Sequence, residues 1–239
     1  MKRLILITCL FALATCVHAQ LLVGVLQNGA TAAAPTAPHA ACFTMGAATT
    51  YTTGSVNTTG SNTIVAIVSY YNLGSIATVV DNGTSTTLTT PLSTTIATSS
   101  NAMQISHELS PSSTSSSETF TITTATAGSL LGYVCIVPFV GLTGNYDSNM
   151  VGATSTGSTC ATSAITPSHA VNAIVAGVSS LATGTMTLSG FTIVGQVPIS
   201  GGANYAAAGA YAAQAAATAQ TPSWGGLTTS NACQAGSYY

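Results

Sequence analysis

Few side chains in this sequence can do chemistry. Beyond residue 19 the only charged groups are Asp81, Glu108, Glu118 and Asp147, and the histidines are His39, His107 and His169. Glycoside hydrolysis needs two carboxylates about 5 to 10 Å apart. Any such pair would have to come from distant segments, so the acids read as solvated groups in turns or on strand surfaces. Asp81, in Asp81-Asn82-Gly83, reads as the acceptor for its own turn. His107-Glu108 looks like a dyad on paper, but neighbours on a strand point to opposite faces. His107 instead shares a face with Met103, Ile105 and Leu109, the pattern of a half-buried core histidine. A serine hydrolase needs a nucleophile, a base and an orienting acid. Serines abound, yet the sequence has no Gly-x-Ser-x-Gly elbow. Asn145-Tyr-Asp147-Ser-Asn149 has Asx residues at alternate positions, as a calcium loop does; with one carboxylate it reads as a structural turn. No catalytic residue, metal site or cofactor is assigned, and a non-enzymatic protein is expected.

Binding chemistry is equally restricted. Lys2 and Arg3 are the only basic residues, and charged residues make up 3% of the chain. Nucleic acid, whose binding needs cations to replace counterions, is excluded as a partner. So is recognition of phosphate or carboxylate by an Arg fork. Sugar binding would use flat aromatic platforms, and the candidates are Tyr70, Tyr71, Tyr205, Tyr211 and Trp224. Asn57-Thr-Thr59 and Asn82-Gly-Thr84 match the N-glycosylation pattern, which arises easily by chance in a Thr-rich chain. With so few charges to keep molecules apart, copies of the chain itself are the other candidate partner.

The first residues resemble an export signal: Lys2-Arg3, an apolar run from Leu4 to Thr15, and Val17-His18-Ala19 as a small-x-small cleavage site. The apolar run is too short for a membrane span. Leu13-Ala14-Thr15-Cys16 gives a minority alternative, lipid anchoring through Cys16. A secreted or cell-surface location follows. Cys42, Cys135, Cys160 and Cys233 would then form two disulfides, with three pairings open.

These groups must be positioned by strands. Ile64–Tyr71 is apolar on both faces, as a central strand is. Asp81-Asn82-Gly83 turns the chain. Met103–Leu109 and Phe120–Ile122 alternate apolar and polar residues, as half-buried antiparallel strands do. Leu130–Val140 is the longest apolar run, and Pro138 should lie at a strand end or bulge because it cannot donate to the ladder. Asn204–Gln220 is Ala-rich, but Tyr205 and Tyr211 lie six apart. That spacing puts both rings on one side of a strand, and a strand pair is favoured. A final strand surrounds Trp224 or Cys233, and the Tyr238-Tyr239 tail reads as loose. Asn62-Thr-Ile-Val-Ala-Ile-Val-Ser69 is echoed by Asn172-Ala-Ile-Val-Ala-Gly-Val-Ser179. The echo allows two readings, duplicated halves or two core strands converging on one composition, and because the flanks do not align the second is favoured. The expected fold is all-β, an antiparallel β-sandwich of about 8–11 strands, jelly-roll or immunoglobulin-like. The expected organisation is a signal peptide at 1–19, a strand and Ala/Pro/Thr-rich linker at 20–41, and the sandwich at 42–239.

The order Gly60-Ser-Asn-Thr-Ile-Val-Ala66, Asp81-Asn-Gly83, Tyr133 to Gly141, Asn172 to Val178 and Gly190-Phe191 resembles secreted β-sandwich modules of bacterial and phage surface proteins. Those modules often carry a Glu just before the Gly141 position, where this chain has Pro138-Phe139-Val140. The resemblance implies an extracellular surface, adhesion or structural role. Carbohydrate binding is one alternative. A second is a strand-exchanged filament, in which Leu21–Leu26 would be donated to a neighbouring copy.

Overall fold

A computed structural model describes residues 32–46, 48–71, 77–92, 96–98, 101–124, 132–181, 184–199 and 205–239. The export signal, Cys16 and the Leu21–Leu26 strand lie outside the described residues. Ala34–Tyr239 forms one compact unit.

No helix occurs among the described residues. The described residues form seventeen strands in four antiparallel sheets. In the first part of the chain these are β1 (Ala41–Met45), β2 (Thr50–Thr52), β3 (Thr63–Tyr71), β4 (Thr78–Asp81), β5 (Thr86–Thr87), β6 (Ile96–Ala97), β7 (Asn101–Leu109), β8 (Phe120–Thr123) and β9 (Gly132–Phe139). The second part has β10 (Val151–Ser155), β11 (Cys160–Ala161), β12 (Asn172–Ser180), β13 (Thr187–Leu188), β14 (Thr192–Ile199), β15 (Tyr205–Gln214), β16 (Ser223–Gly225) and β17 (Asn231–Tyr238).

The strand order repeats. In the first part β1-β9-β3-β7, extended by β6, faces β2-β8-β4-β5. With β6 set aside, one sheet holds the first, last, third and sixth strands and the other the remaining four. That is the order of a jelly roll. In the second part β10-β17-β12-β15, extended by β14, faces β11-β16-β13. Each strand takes the place of its counterpart, and among the described residues only the equivalent of β5 is missing. The all-β antiparallel sandwich expected from the sequence is what the described residues build, as two stacked rolls with more strands than the expected 8–11. The echo strands β3 and β12 hold the same central position, so the echo marks a repeat of fold rather than a chance convergence of composition.

The two rolls stack through their larger sheets. The central core joins Val65, Ile67, Met103, Ile105, Val137 and Phe139 to Val175, Tyr205, Ala207 and Tyr238. Flanking cores fill each roll: Ile64, Val68, Phe120 and Ile122 in the first, Ile174, Val178, Leu188 and Trp224 in the second. Both faces of β3 and β12 are thus covered, which is why neither alternates. The contacts are reciprocal: β1 lies against β14 and β10 against β6, β9 against β15 and β17 against β7. Reciprocity of this kind marks an isologous, two-fold-like interface.

Several local expectations meet the structure directly. β15 is one strand of ten residues rather than the expected pair, with Tyr205 and Tyr211 both on the central core. Pro138 is the next-to-last residue of β9, beyond the reach of β1, so its missing N–H interrupts no ladder. The polar face of β7 is buried rather than solvated. Gln104 there donates to the Ala77 carbonyl at 2.6 Å and to Ser106 at 2.8 Å. The C-terminus is not loose: Tyr238 is fully buried between the rolls, and Tyr239 exchanges backbone hydrogen bonds with Asn145. The disulfides are Cys42–Cys135, joining β1 to β9, and Cys160–Cys233, joining the two sheets of the second roll. Each closes a long loop (93 and 73 residues apart), the case in which a crosslink restricts the unfolded chain most, by about 4 kcal/mol.

Candidate functional site

Three of the four acids converge. Asp81 ends β4 on the inward face it shares with Val79. Glu108 lies near the end of β7, and Glu118 precedes β8 in a bridge to Val56. All three point into one end of the first roll, and Asp81 lies within interaction range of both glutamates. Their exposures are 0%, 6% and 3%. The expectation of solvated acids fails because the alternation that turns Val79 and Phe120 inward turns Asp81 and Glu118 inward as well. Asp81 does serve its turn, with Oδ1 accepting the Gly83 N–H at 2.8 Å. Thr84 donates to Glu108 Oε1 at 3.2 Å, and the Thr58 hydroxyl donates to Glu118. Asp81 Oδ2 and Glu108 Oε2 accept no hydrogen bond from any N–H or hydroxyl. Burial, reinforced by the Asp81 carboxyl, pushes Glu108 up to about 7. Burial also raises Glu118 above the ordinary carboxylate range. Among the described residues no three His, Cys, Asp or Glu side chains are arranged to hold a metal ion.

His107 points the other way, between the rolls. Its ring is 5% exposed, and Nδ1 lies 3.4 Å from the Tyr238 hydroxyl. The rings of Tyr146 and Tyr238 pack on it at 5.2 and 5.5 Å. Burial lowers it to about 4, so it is neutral at physiological pH. This is the core histidine that strand alternation implied, and the same alternation separates it from Glu108.

A serine, a histidine and an aspartate also meet on the surface, which the sequence did not signal. Ser168 Oγ donates to Asp147 Oδ1 and lies 2.7 Å from His169 Nδ1, while Asp147 is 3.8 Å from that same nitrogen. In a catalytic triad the serine and the acid bond opposite ring nitrogens. Here both sit at Nδ1, and the serine proton is committed to the aspartate. Asp147 Oδ2 also accepts from Ser237 at 2.5 Å, and His169 stacks on Tyr239 at 3.6 Å. The network pins the 145–149 turn to β17, the structural role expected of that turn.

The sugar-platform candidates separate by burial. Tyr70, Tyr205 and Trp224 are 0% exposed and offer no ring face to a ligand. They fill the cores that the apolar faces of their strands create. Tyr71 and Tyr211 are half-buried at the margin of the central core. Tyr211 borders an open groove of about 480 Å³ with Pro35, Pro38 and Gly190. A second groove of about 320 Å³ runs past Glu108 between Thr86, Thr89 and Ser110. The outer face of the first roll carries paired threonines, Thr50 with Thr123 at 3.4 Å and Thr52 with Thr121 at 3.2 Å, beside exposed Asn82.

No protein-family model matches the chain, and no curated protein matches it. Among solved structures, a chain from the X-ray structure of melon necrotic spot virus is similar at 8% identity, covering 86% of this chain and 97% of that one, with a TM-score of 0.22. A chain of red clover necrotic mosaic virus is similar at 10% identity, covering 82% and 95%, with a TM-score of 0.22.

Proposed function

We propose that the chain is a non-enzymatic structural module of an extracellular surface. One observation carries this reading: the groups that could react are committed to the fold. Asp81, Glu108, Glu118 and His107 are buried, and Asp147 is tied by Ser168 and Ser237. What the module offers outward is neutral and hydroxyl-rich, as on the threonine-bearing sheet of the first roll. Two disulfides fit an oxidising compartment. A surface of this composition suits contact with other neutral surfaces, glycans or further copies of the chain. Carbohydrate binding through aromatic stacking would rest on Tyr71 and Tyr211.

Mass spectrometry of the natural protein, recovered under conditions that trap thiols, tests the reading. The expected product starts at Gln20, carries no free thiol and is recovered from the cell exterior. A full-length chain with reduced cysteines in the cytosol would overturn it. A hydrolytic activity lost on Ser168→Ala would overturn its non-enzymatic part.

A further inference from the structure

Three carboxyl groups buried together need positive charge. The chain has no Lys or Arg beyond Arg3, so the described residues hold no Lys or Arg to supply it. The elements around the cluster bring no other acid or base. Among the described residues, the titratable side chains facing this core from the neighbouring strands are the phenols of Tyr51 and Tyr70, which are uncharged near neutral pH. His107 is on the far face of β7. Thr58, Thr84 and the Gly83 amide serve three carboxylate oxygens, Asp81 Oδ2 and Glu108 Oε2 have no donor of their own, and Asp81 lies within hydrogen-bonding range of both glutamates. A metal ion is not favoured, because the three groups are not arranged around a common centre. Protons between Asp81 and its two neighbours would satisfy both oxygens without moving any side chain.

We infer that Asp81, Glu108 and Glu118 form a proton-loaded latch that holds the Asp81–Thr87 hairpin over the end of the first jelly roll. Loaded, the cluster shares two protons and carries one negative charge. Unloading breaks two O–H bonds, passes both protons to water and leaves three mutually repelling carboxylates. The hairpin is the part that must respond. Its Gly83 backbone is seated on Glu118, so closely that a Cβ there would overlap the carboxylate. Its far end is held by Leu88 N–H to the Val79 carbonyl at 2.8 Å, and Leu88 is part of the roll's core. Opening the hairpin therefore uncovers the core and widens the groove beside Glu108.

The sign of the effect is fixed by the direction of the shift. A carboxyl raised in the folded state contributes stability that is complete below its unfolded value and is lost as pH rises through its folded value. For Glu108 the window runs from about 4.5 to about 7.

The test compares Glu108→Gln with the wild-type protein from pH 4.5 to 8, so that titrations common to both cancel. The ratio of folding constants, variant over wild type, should climb on the order of 100-fold across the window. Amide protection at Thr86 to Leu88 should fall above pH 7 in the wild type and hold in the variant. Carboxyl carbon NMR of the wild type is independent of whether the variant folds, and it should find at least one of the three groups still protonated above pH 6. A flat ratio, or three carboxyls all ionised by pH 5, would overturn the latch. So would a melting temperature raised by millimolar Ca²⁺ in the wild type and not in Asp81→Asn, since the countercharge would then be a cation. Unchanged protection at Thr86 to Leu88 through pH 8 would overturn the hairpin's part in it.

Discussion

The two rolls meet at a knob and a hole that can be tested together. Ile67, at the centre of β3, is 2% exposed. It packs where β12 carries Gly177 and β15 carries Gly209. A Cβ on Gly177 would stand 2.5 Å from Ile67 Cγ2 and 2.8 Å from Met103 Sδ. Ile67→Ala alone should cost about 2–5 kcal/mol, the transfer term plus a cavity. Gly177→Ala alone overpacks the site, at about 1–3 kcal/mol, less about 0.5–1 kcal/mol because alanine loses less backbone entropy than glycine in a strand. In the double variant the new methyl enters space that the isoleucine vacated. Its cost should therefore fall short of the sum of the singles by about 1–2 kcal/mol, within the range found for residues in contact. The assay is guanidinium unfolding followed by circular dichroism, with the slope checked for constancy. Additivity of the two singles within about 0.5 kcal/mol would refute the packing, because uncoupled sites behave that way.

Further outcomes follow from the same geometry. Trp224 is the only tryptophan and pairs across strands with disulfide-bonded Cys160, so its emission should be quenched in the native state and rise when that bond is reduced; unchanged emission would place the ring elsewhere. Replacing Cys42 and Cys135 by Ala should lower stability by about 4 kcal/mol while Trp224, in the other roll, keeps its native emission; a shifted spectrum would show the rolls to be less independent. His107 is held low, at about 4, so its contribution is complete above about 6.5 and is lost as pH falls toward 4, by about 3 kcal/mol in all. Glu108, one residue away on the opposite face, runs in the other direction. Relative to the wild-type protein, His107→Gln should therefore lose more stability as pH rises from 4.5 to 7, and Glu108→Gln less; a slope changed in the opposite sense in either variant would show the two shifts to be assigned wrongly.

Much of the fold was legible because β-strands write their burial pattern into every second residue. The double-sided burial of β3, the position of Pro138 and the Tyr205–Tyr211 spacing all follow from that period. Strand alternation also placed His107 on the core face and away from Glu108. Less was legible about the candidate site. Asp81 comes from β4, Glu108 from β7 and Glu118 from the segment before β8, and only the pairing of β4 with β8, together with the stacking of that sheet over β7, brings them together. The Ser168–His169–Asp147 contact depends in the same way on β17 returning between the two loops. Period can tell which face a side chain is on, but not which distant side chain shares that face.

The repeat of strand order was hidden for a related reason, and the knob at Ile67 explains it. In a two-fold-like interface, equivalent residues approach one another near the axis. The echo aligns Ile67 with Gly177, and these two positions touch. Isoleucine at both would collide and glycine at both would leave a cavity, so the two copies cannot stay alike where they meet. Gly209, the counterpart of Ile105, also lies in the interface, where a Cβ would meet Ile67 and Cys135. Each roll has a different partner surface, so the interface drives its two halves apart in sequence while keeping their strand order the same. The echo keeps Val65 against Val175 in the central core, and it keeps the residues pointing away from the axis, Ile64, Ala66 and Val68 against Ile174, Ala176 and Val178. Those six residues fill the separate cores of the two rolls, where each copy faces its own outer sheet and nothing forces it to diverge.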